Sequence, residues 1–487
     1  MSKSVKVNYI LNLINTGTQL LLPLITFPYA SRILFAEGIG KVNFFTSIIT
    51  YISLFTCIGI PMYAIREIAR VRDDEKKMSQ TATETLLLHA GLTMVGYIIV
   101  ALLCLFVPRI SAEVPLFLLL SLTILFTAIG CEWFYQGIED FAYITIRGLI
   151  VKALGIIFLF CFVKTREDII PYAFFTVFGV LGGNLFNFFR LRKYIHRTDL
   201  VGYHLQPLRH MKPALKVFVF NVIASIYLQL NTILLGFMAD NESVGYYSAA
   251  MKLIMPVMSI STALYMAMLP RLSNIVANKD LEKFRELSQK TYDFSIAISL
   301  PASIGLILIS PYAMNLLSGP YFANSIPVCE IMAFTILFVA ISGAMGTQIL
   351  YSLGKMNLVV RCTFIGSIVD LLLCVLLIPR YSYIGAAYAY LIAEFAVTFS
   401  MYFIGKKDLP IKYFKKNISV YVLASGLMAV VLFFVKQNIH LVDWQMLILL
   451  ILIGGLLYLG VIIAFKDELA MSVLDKVKTK YINKKNK

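Results

Sequence analysis

The chain has 487 residues, of which 59% are hydrophobic and 14% charged, with a mean hydropathy of +0.80. A soluble domain carries about a quarter charged residues to solvate its surface, so these figures exclude an ordinary water-soluble enzyme and set most of the surface against lipid. The net charge of +16 does not indicate nucleic acid, because the 43 Lys and Arg fall in short clusters between apolar runs rather than along one face.

A transmembrane helix needs about 20 predominantly apolar residues. Runs of that length predict an all-α polytopic membrane protein with about fourteen spans: 7–31, 42–65, 82–107, 114–135, 141–163, 169–190, 213–237, 244–270, 291–316, 326–353, 357–379, 382–404, 417–435 and 444–465. The join between the eleventh and twelfth falls at Pro379-Arg380-Tyr381-Ser382. The first run is too long for a signal-peptide core and has no AxA site after it, so the first helix is expected to stay attached. With the N-terminus inside, 32 Lys and Arg fall in cytoplasmic segments and seven outside, while Arg147, Lys152, Lys216 and Lys252 lie within spans. This asymmetry predicts both termini in the cytoplasm and an even number of spans.

The chain also repeats. Glu37-Gly38-Ile39-Gly40 follows the first span and Glu242-Ser243-Val244-Gly245 the seventh, an offset of 205; Asn15 and Gln19 meet Asn221 and Ser225 at an offset of 206. An even number of intervening helices makes this a pseudo-twofold parallel repeat. The expected lobes are residues 1–200 and 201–406, six helices each, followed by two further helices in 407–466 and a basic cytoplasmic tail, 467–487. Substrate sites in such folds lie between the lobes.

Along the first span, Asn8, Asn12, Asn15 and Gln19 recur at spacings of 4, 3 and 4, and along the seventh Asn221, Ser225 and Gln229 at spacings of 4 and 4. Each set occupies one helical face. Amides in hydrocarbon need partners, so the stripes face either neighbouring helices or a shared polar cavity. Pro23 and Pro28 are expected to bend the first helix.

A charge at the bilayer centre costs about 2.5–3.5 kcal/mol on insertion scales unless it finds water or a counter-ion. Lys152 lies roughly 16 Å into its span and Lys252 about 12 Å from the outer face, both too deep to reach the interface easily. Arg147 is offset by five residues from Lys152, about 140° around the helix, so the two need not share a surface. Arg32, Arg66 and Lys216 lie near span ends, where long cations reach the interface. Intramembrane acids are Glu330, Asp370 and Glu394, with Glu132 near a cytoplasmic end. Asp370 and Glu394 are candidates for carrying a coupling cation or proton, or for neutralising a neighbouring cation.

The seven cysteines, Cys57, Cys104, Cys131, Cys161, Cys329, Cys362 and Cys374, lie in apolar stretches without CxxC pairing and read as packing residues. The five histidines have no metal-ligand spacing, and there is no nucleotide or hydrolase motif, so neither metal nor cofactor is expected. A cavity lined by amides and excess cations suits an anionic, hydroxyl-rich ligand: Lys and Arg attract phosphate while amides and tyrosines bond sugar hydroxyls. A lipid-linked oligosaccharide diphosphate has both parts.

Three segments carry a family resemblance. They are Phe27-Pro28-Tyr29-Ala30-Ser31-Arg32 with Glu37-Gly38-Ile39-Gly40; Glu132-Trp133-Phe134-Tyr135-Gln136-Gly137-Ile138-Glu139 running to Arg147; and Leu234-Leu235-Gly236 with Val244-Gly245-Tyr246-Tyr247-Ser248-Ala249-Ala250-Met251-Lys252. With them the chain resembles, over essentially its whole length, the Wzx-type polysaccharide flippases of the multidrug/oligosaccharidyl-lipid/polysaccharide exporter superfamily. Where that family more often shows Arg-x-Leu-Gly, this chain reads Arg32-Ile33-Leu34-Phe35. The resemblance implies a two-lobed, fourteen-helix flippase of the bacterial cytoplasmic membrane. Its cargo would be undecaprenyl-diphosphate-linked oligosaccharide units of O-antigen, capsule or a similar surface polymer, moved from inner to outer leaflet by alternating access. On that reading Lys152 and Lys252, with Arg147, Arg32 and Arg66 as further candidates, attract the diphosphate, and the polar stripes accompany the sugars. Membrane lipids and the polymerase and other polysaccharide-assembly proteins are the expected partners. A multidrug cation antiporter and a lipid II flippase share the architecture. A membrane-embedded polymerase or glycosyltransferase is disfavoured, because no loop exceeds about 25 residues.

Overall fold

A computed structural model describes the backbone of residues 5–196, 204–413, 416–467 and 471, and the side chains of these except 5–16, 19, 20, 216, 217, 219–228, 264 and 416. The helices are, in order, α1 (Val5–Cys57), α2 (Ile60–Val71), α3 (Glu75–Phe106), α4 (Pro108–Ser111), α5 (Val114–Ile129), α6 (Glu132–Gly137), α7 (Phe141–Phe162), α8 (Ile169–Leu191), α9 (Met211–Met238), α10 (Asn241–Ala277), α11 (Leu281–Ser318), α12 (Ser325–Ala333), α13 (Thr335–Gly343), α14 (Met356–Gly405), α15 (Lys416–Asn438) and α16 (Asp443–Ala464). Hydrocarbon offers no partner to an open backbone group, which is why the apolar runs are helical almost throughout. Large apolar side chains point outward along them, among them Met94, Leu105, Phe106 and Leu456, each more than 70% exposed. In water such a surface would drive aggregation; here it is the lipid face.

Among the described residues, eleven helical stretches are long and apolar enough to cross a membrane. Two of them, Leu21–Val71 and Met356–Gly405, have 51 and 50 residues, about 75 Å of straight helix against a hydrocarbon core of about 30 Å. Each is broken internally, at Phe35 (φ 54°, ψ −176°) and Ser382 (φ 48°, ψ −128°). At the second break the chain folds back, because a Cβ on Gly385 would lie 2.5 Å from the Leu377 carbonyl oxygen, whereas residues eight apart on a straight helix are about 12 Å apart. This is the join expected around Pro379–Ser382. Along α1, helical geometry is lost not at Pro23 or Pro28 but at Phe35.

Two other expected spans are subdivided. The run 114–135 ends as α5 at Ile129 and restarts as α6 after Cys131 (φ 47°); the run 326–353 is α12, α13 and a π-helical turn over Ala344–Leu350. The second span also extends beyond 65, through a break at Ile58 and Gly59, into α2, which carries Arg66 and Arg70.

The chain divides into two compact units, residues 1–245 and 246–487. In the first unit, the segments after the first, third, fifth and seventh expected spans meet at one end: Lys41 pairs with Glu113 (2.6 Å), Arg166 with Glu37 (2.8 Å), and Arg109 donates to Asn241 Oδ1 (2.8 Å). The segments after the even spans meet at the other, where Arg72 pairs with Glu139 and Arg190 with Asp140, both at 2.8 Å. Such segregation requires strictly alternating helix directions.

The repeated motifs touch one another at the first of these ends. A Cβ on Gly40 would overlap the carbonyl of Asn241, and one on Gly245 would overlap the carbonyl of Ala36. Both obstacles are backbone, which cannot swing aside. Gly236 likewise receives the Phe44 ring, and the Arg109 guanidinium lies over the same ring at 4.8 Å. These contacts, with the packing of α9 on α1 and α2, place α9 and the first turn of α10 in the first unit.

In the second unit α11, α15 and α16 pack together, and α12 and α13 fill the space between α11 and α14. Tyr458 donates from α16 to the Ala297 carbonyl (2.6 Å), and the buried Tyr421 to Asp467 Oδ2 (3.0 Å).

Two predictions follow from this geometry. Gly40→Ala and Gly245→Ala lower the melting temperature of the detergent-solubilised protein. Gly91→Ala, where a Cβ meets nothing within 4 Å, stabilises by about 0.5–1 kcal/mol. Phe35 holds a backbone conformation that is essentially confined to glycine and costs about 1–3 kcal/mol. Phe35→Gly, which restores the residue shown by the resembling family, is therefore expected to raise the melting temperature despite the lost contact of its ring with Arg166 (5.3 Å).

Candidate functional site

The charged groups that the helices carry to depth meet several fates. Lys152 Nζ, on α7, donates to Thr18 Oγ1 on α1 at 2.7 Å. Its helix position thus turns it towards α1, beside the segment that bears the first polar stripe. Lys252, on α10, has no hydrogen-bond or ion-pair partner among the described residues. The stripe residues Asn8, Asn12, Asn15, Gln19, Asn221 and Ser225, and Lys216, lie outside the residues whose side chains are described. Gln229 is described, and its Oε1 accepts from Ser47 Oγ at 3.0 Å, an interhelical bond of the kind an amide in lipid requires.

Arg147 turns away from Lys152, as the spacing predicts. It packs against α8, where a Cβ on Gly183 would meet Cζ, Nε and Nη2 equally at 3.4 Å, and Nη2 pairs with Glu132 Oε2 at 3.3 Å. Arg32 is exposed and donates to the Pro28 carbonyl (2.6 Å). Arg66, also exposed, pairs with Glu67 (3.1 Å) and lies over the Tyr63 ring at 5.8 Å. The five cations singled out by sequence therefore occupy separate surroundings: Lys152 on a hydroxyl, Lys252 without a partner among the described residues, Arg32 on a backbone carbonyl, and Arg147 and Arg66 each against a carboxylate.

Asp370 and Glu394 are buried on the two arms of α14. Cys374 Sγ lies 3.9 Å from Asp370 Oδ1, and the fully buried Tyr390 sits against Glu394 within the field of Asp370. Among the described residues there is no cluster of three His, Cys, Asp or Glu side chains that would hold a metal ion.

Sequence reasoning missed one charged cluster. Glu84, two residues inside the expected third span, is completely buried. It accepts from Arg209 (2.6 Å), His210 (2.8 Å), Gln80 Nε2 (2.9 Å) and the Gln206 amide (3.0 Å), while Tyr63 Oη and His210 Nδ1 are 2.7 Å apart. Residues 206–210 are thereby strapped to α2 and α3 beside a polar cavity of about 440 Å³ bordered by Lys77, Gln80 and Arg209. A carboxylate at the polar start of an expected span, Thr81-Ala82-Thr83-Glu84-Thr85, was the available signal, masked by averaging over the run. At the mouth of α3, Asp74 pairs with the Lys77 ammonium (2.9 Å) and accepts from its amide (3.1 Å), which holds its carboxyl below the usual range.

Comparison with known proteins agrees with this architecture. Residues 5–276 match the model of a family described as polysaccharide biosynthesis protein, and residues 217–376 match the MatE model. A candidate O-antigen transporter of Shigella dysenteriae is 25% identical over 396 residues, 81% of this chain and 98% of that protein. A candidate low-salt glycan biosynthesis flippase, Agl15 of Haloferax volcanii, is 23% identical over 251 residues, 51% of this chain and 53% of that protein. Among solved structures, the lipid II flippase MurJ in an inward closed conformation superposes with a TM-score of 0.74 at 18% identity, covering 94% of this chain and all of that one. The fold is thus the polytopic helical fold of that transporter.

Removing Glu84 tests the strap. Glu84→Ala leaves His210, Gln80 and the Gln206 amide without their shared acceptor, and is expected to destabilise by about 1–3 kcal/mol, read as a lower melting temperature in detergent, with Glu84→Gln losing less.

Proposed function

Because the chain belongs to the family of polysaccharide biosynthesis proteins, we propose that it is a flippase. It moves undecaprenyl-diphosphate-linked oligosaccharide units for O-antigen, capsule or a similar surface polymer from the inner to the outer leaflet of a bacterial cytoplasmic membrane, by alternating access. The observation that supports this most is the state of the deep lysines. Lys252 has no partner among the described residues, and Lys152 rests on a neutral hydroxyl. A cation placed like Lys252 remains poorly solvated until an anion arrives, so the diphosphate of the cargo supplies the missing partner there, with Lys152 beside α1 as a second contact. The amide stripes would bond the sugar hydroxyls. Both termini face the cytoplasm on this reading, and the polymerase and other assembly proteins receive the delivered units.

Asp370 and Glu394 are the proposed coupling groups, since two buried carboxylates on one broken helix can exchange a proton or cation as its arms move. The match of residues 217–376 to the MatE model favours a second reading, a multidrug cation antiporter. A positive pair of deep lysines repels such a substrate.

The test is complementation of a strain that lacks its own flippase. Lys152→Ala and Lys252→Ala each remove a charge-assisted contact of about 1.5–3 kcal/mol, about 10- to 100-fold in affinity, and are expected to abolish polymer export at normal protein levels; the Lys→Arg variants retain part of it. Wild-type export from both alanine variants, or resistance to cationic drugs in place of export, would overturn the assignment.

A further inference from the structure

Between α7 and α8 lies a cavity of about 400 Å³ that neither deep lysine borders, although Arg147, a further candidate for the diphosphate, does. Its polar end is built from Arg147, Arg190, Tyr143 and Asp140. The Tyr143 ring gathers both guanidinium groups, Arg190 Cζ at 3.8 Å and Arg147 Cζ at 5.7 Å from its centroid. Arg190 is paired with Asp140, but Arg147, whose side chain is only 9% exposed, uses Nη2 alone: its Nε and Nη1 have no hydrogen-bond partner among the described residues. Two buried donors left open on one side of a fixed fork cost energy that an anion at this end would recover.

The other end of the cavity is apolar, and its walls face outward: Ile146, Ile150 and Phe186 are 57, 54 and 58% exposed. These residues lie on the lipid side of their helices. Just beyond, at the end of α8, stand the exposed Arg192 and Lys193. The combination is a phosphate-sized seat with two guanidinium groups, opening sideways onto hydrocarbon at the basic C-terminal end of α8. Such basic pockets between helices suit anionic lipid headgroups.

We propose that this groove binds an anionic glycerophospholipid of the leaflet on the basic side. The phosphate sits against Arg147 and Arg190, and an acyl chain lies along Ile146, Ile150 and Phe186. A single phosphodiester fits better than a diphosphate-linked sugar, because Glu132 and Asp140 already offset much of the guanidinium charge and the cavity is small. A free inorganic ion would make no use of the apolar walls. The site is distinct from the deep lysines and does not depend on the identity of the cargo.

Native mass spectrometry of the full-length protein, with phosphatidylglycerol and phosphatidylcholine of identical acyl chains, tests this. The wild type is expected to retain phosphatidylglycerol about tenfold over phosphatidylcholine. Arg147→Gln and the more exposed Arg190→Gln should lower that preference to near parity, and Phe186→Ala should weaken both lipids together. Melting temperatures in lipid-free detergent separate lost binding from lost folding: if Arg147→Gln does not fold, Arg190→Gln decides. Unchanged preference in a folded Arg190→Gln protein overturns the proposal. So does displacement of phosphatidylglycerol by millimolar inorganic phosphate, which would make this a free-anion site, or by equimolar polyprenyl diphosphate, which would make it a port for cargo.

Discussion

Hydrocarbon solvates neither an amide nor an ion, and this one constraint accounts for most of the chain. It forces the backbone into helices, because an unsatisfied carbonyl at membrane depth costs several kcal/mol. It then governs each charge that the helices carry inward. Glu84 is tolerated because four donors converge on it. Arg147 is tolerated because Glu132 and the Tyr143 ring share its charge. Lys252 meets none of these conditions among the described residues, and an unpaid desolvation cost of that kind is expected where the compensating partner is a ligand.

The repeated motif has a structural meaning of its own. Glu37–Gly40 and Glu242–Gly245 resemble each other and are also one another's neighbours, each glycine lying against the other segment's backbone. Close backbone approach through small residues substitutes, in lipid, for the hydrophobic driving force that water would supply. The ion pairs Lys41–Glu113 and Arg166–Glu37 gather the remaining segments of the same end around this contact. A change at Gly40 is therefore felt by three segments far apart in sequence.

Helix class, the alternation of helix directions and the join near Ser382 were legible from hydropathy and the placement of cations, since both reflect the energy of transfer into lipid. The break in α1 was not. Proline is the usual cue for a bend, yet Pro23 and Pro28 keep helical geometry while Phe35, a residue with no intrinsic taste for positive φ, takes the turn. Only the contrast with a glycine-bearing family pattern marked that position. The partition of the cations was half legible: a spacing of five separates Arg147 from Lys152, but which of them faces α1 and which faces α8 depends on packing, through Thr18 and Gly183, that no periodicity encodes. Glu84 was overlooked because its partners, Arg209 and His210, come from a segment more than 120 residues away.

The division of labour between lysine and arginine follows from their chemistry. Arginine's guanidinium is planar and weakly hydrated, and it holds several partners in a fixed fork; Arg147 and Arg190 use it on carboxylates and a tyrosine ring, as befits a seat that stays in one place. Lysine's ammonium is a compact point charge on a flexible stem, able to follow an anion and then release it. A carrier that must let go of its cargo at the far leaflet cannot afford a rigid bidentate clamp at depth. On the proposed function, the residues at Lys152 and Lys252 are lysines because the cycle is limited by release as much as by capture, and the arginines stand where release is not required.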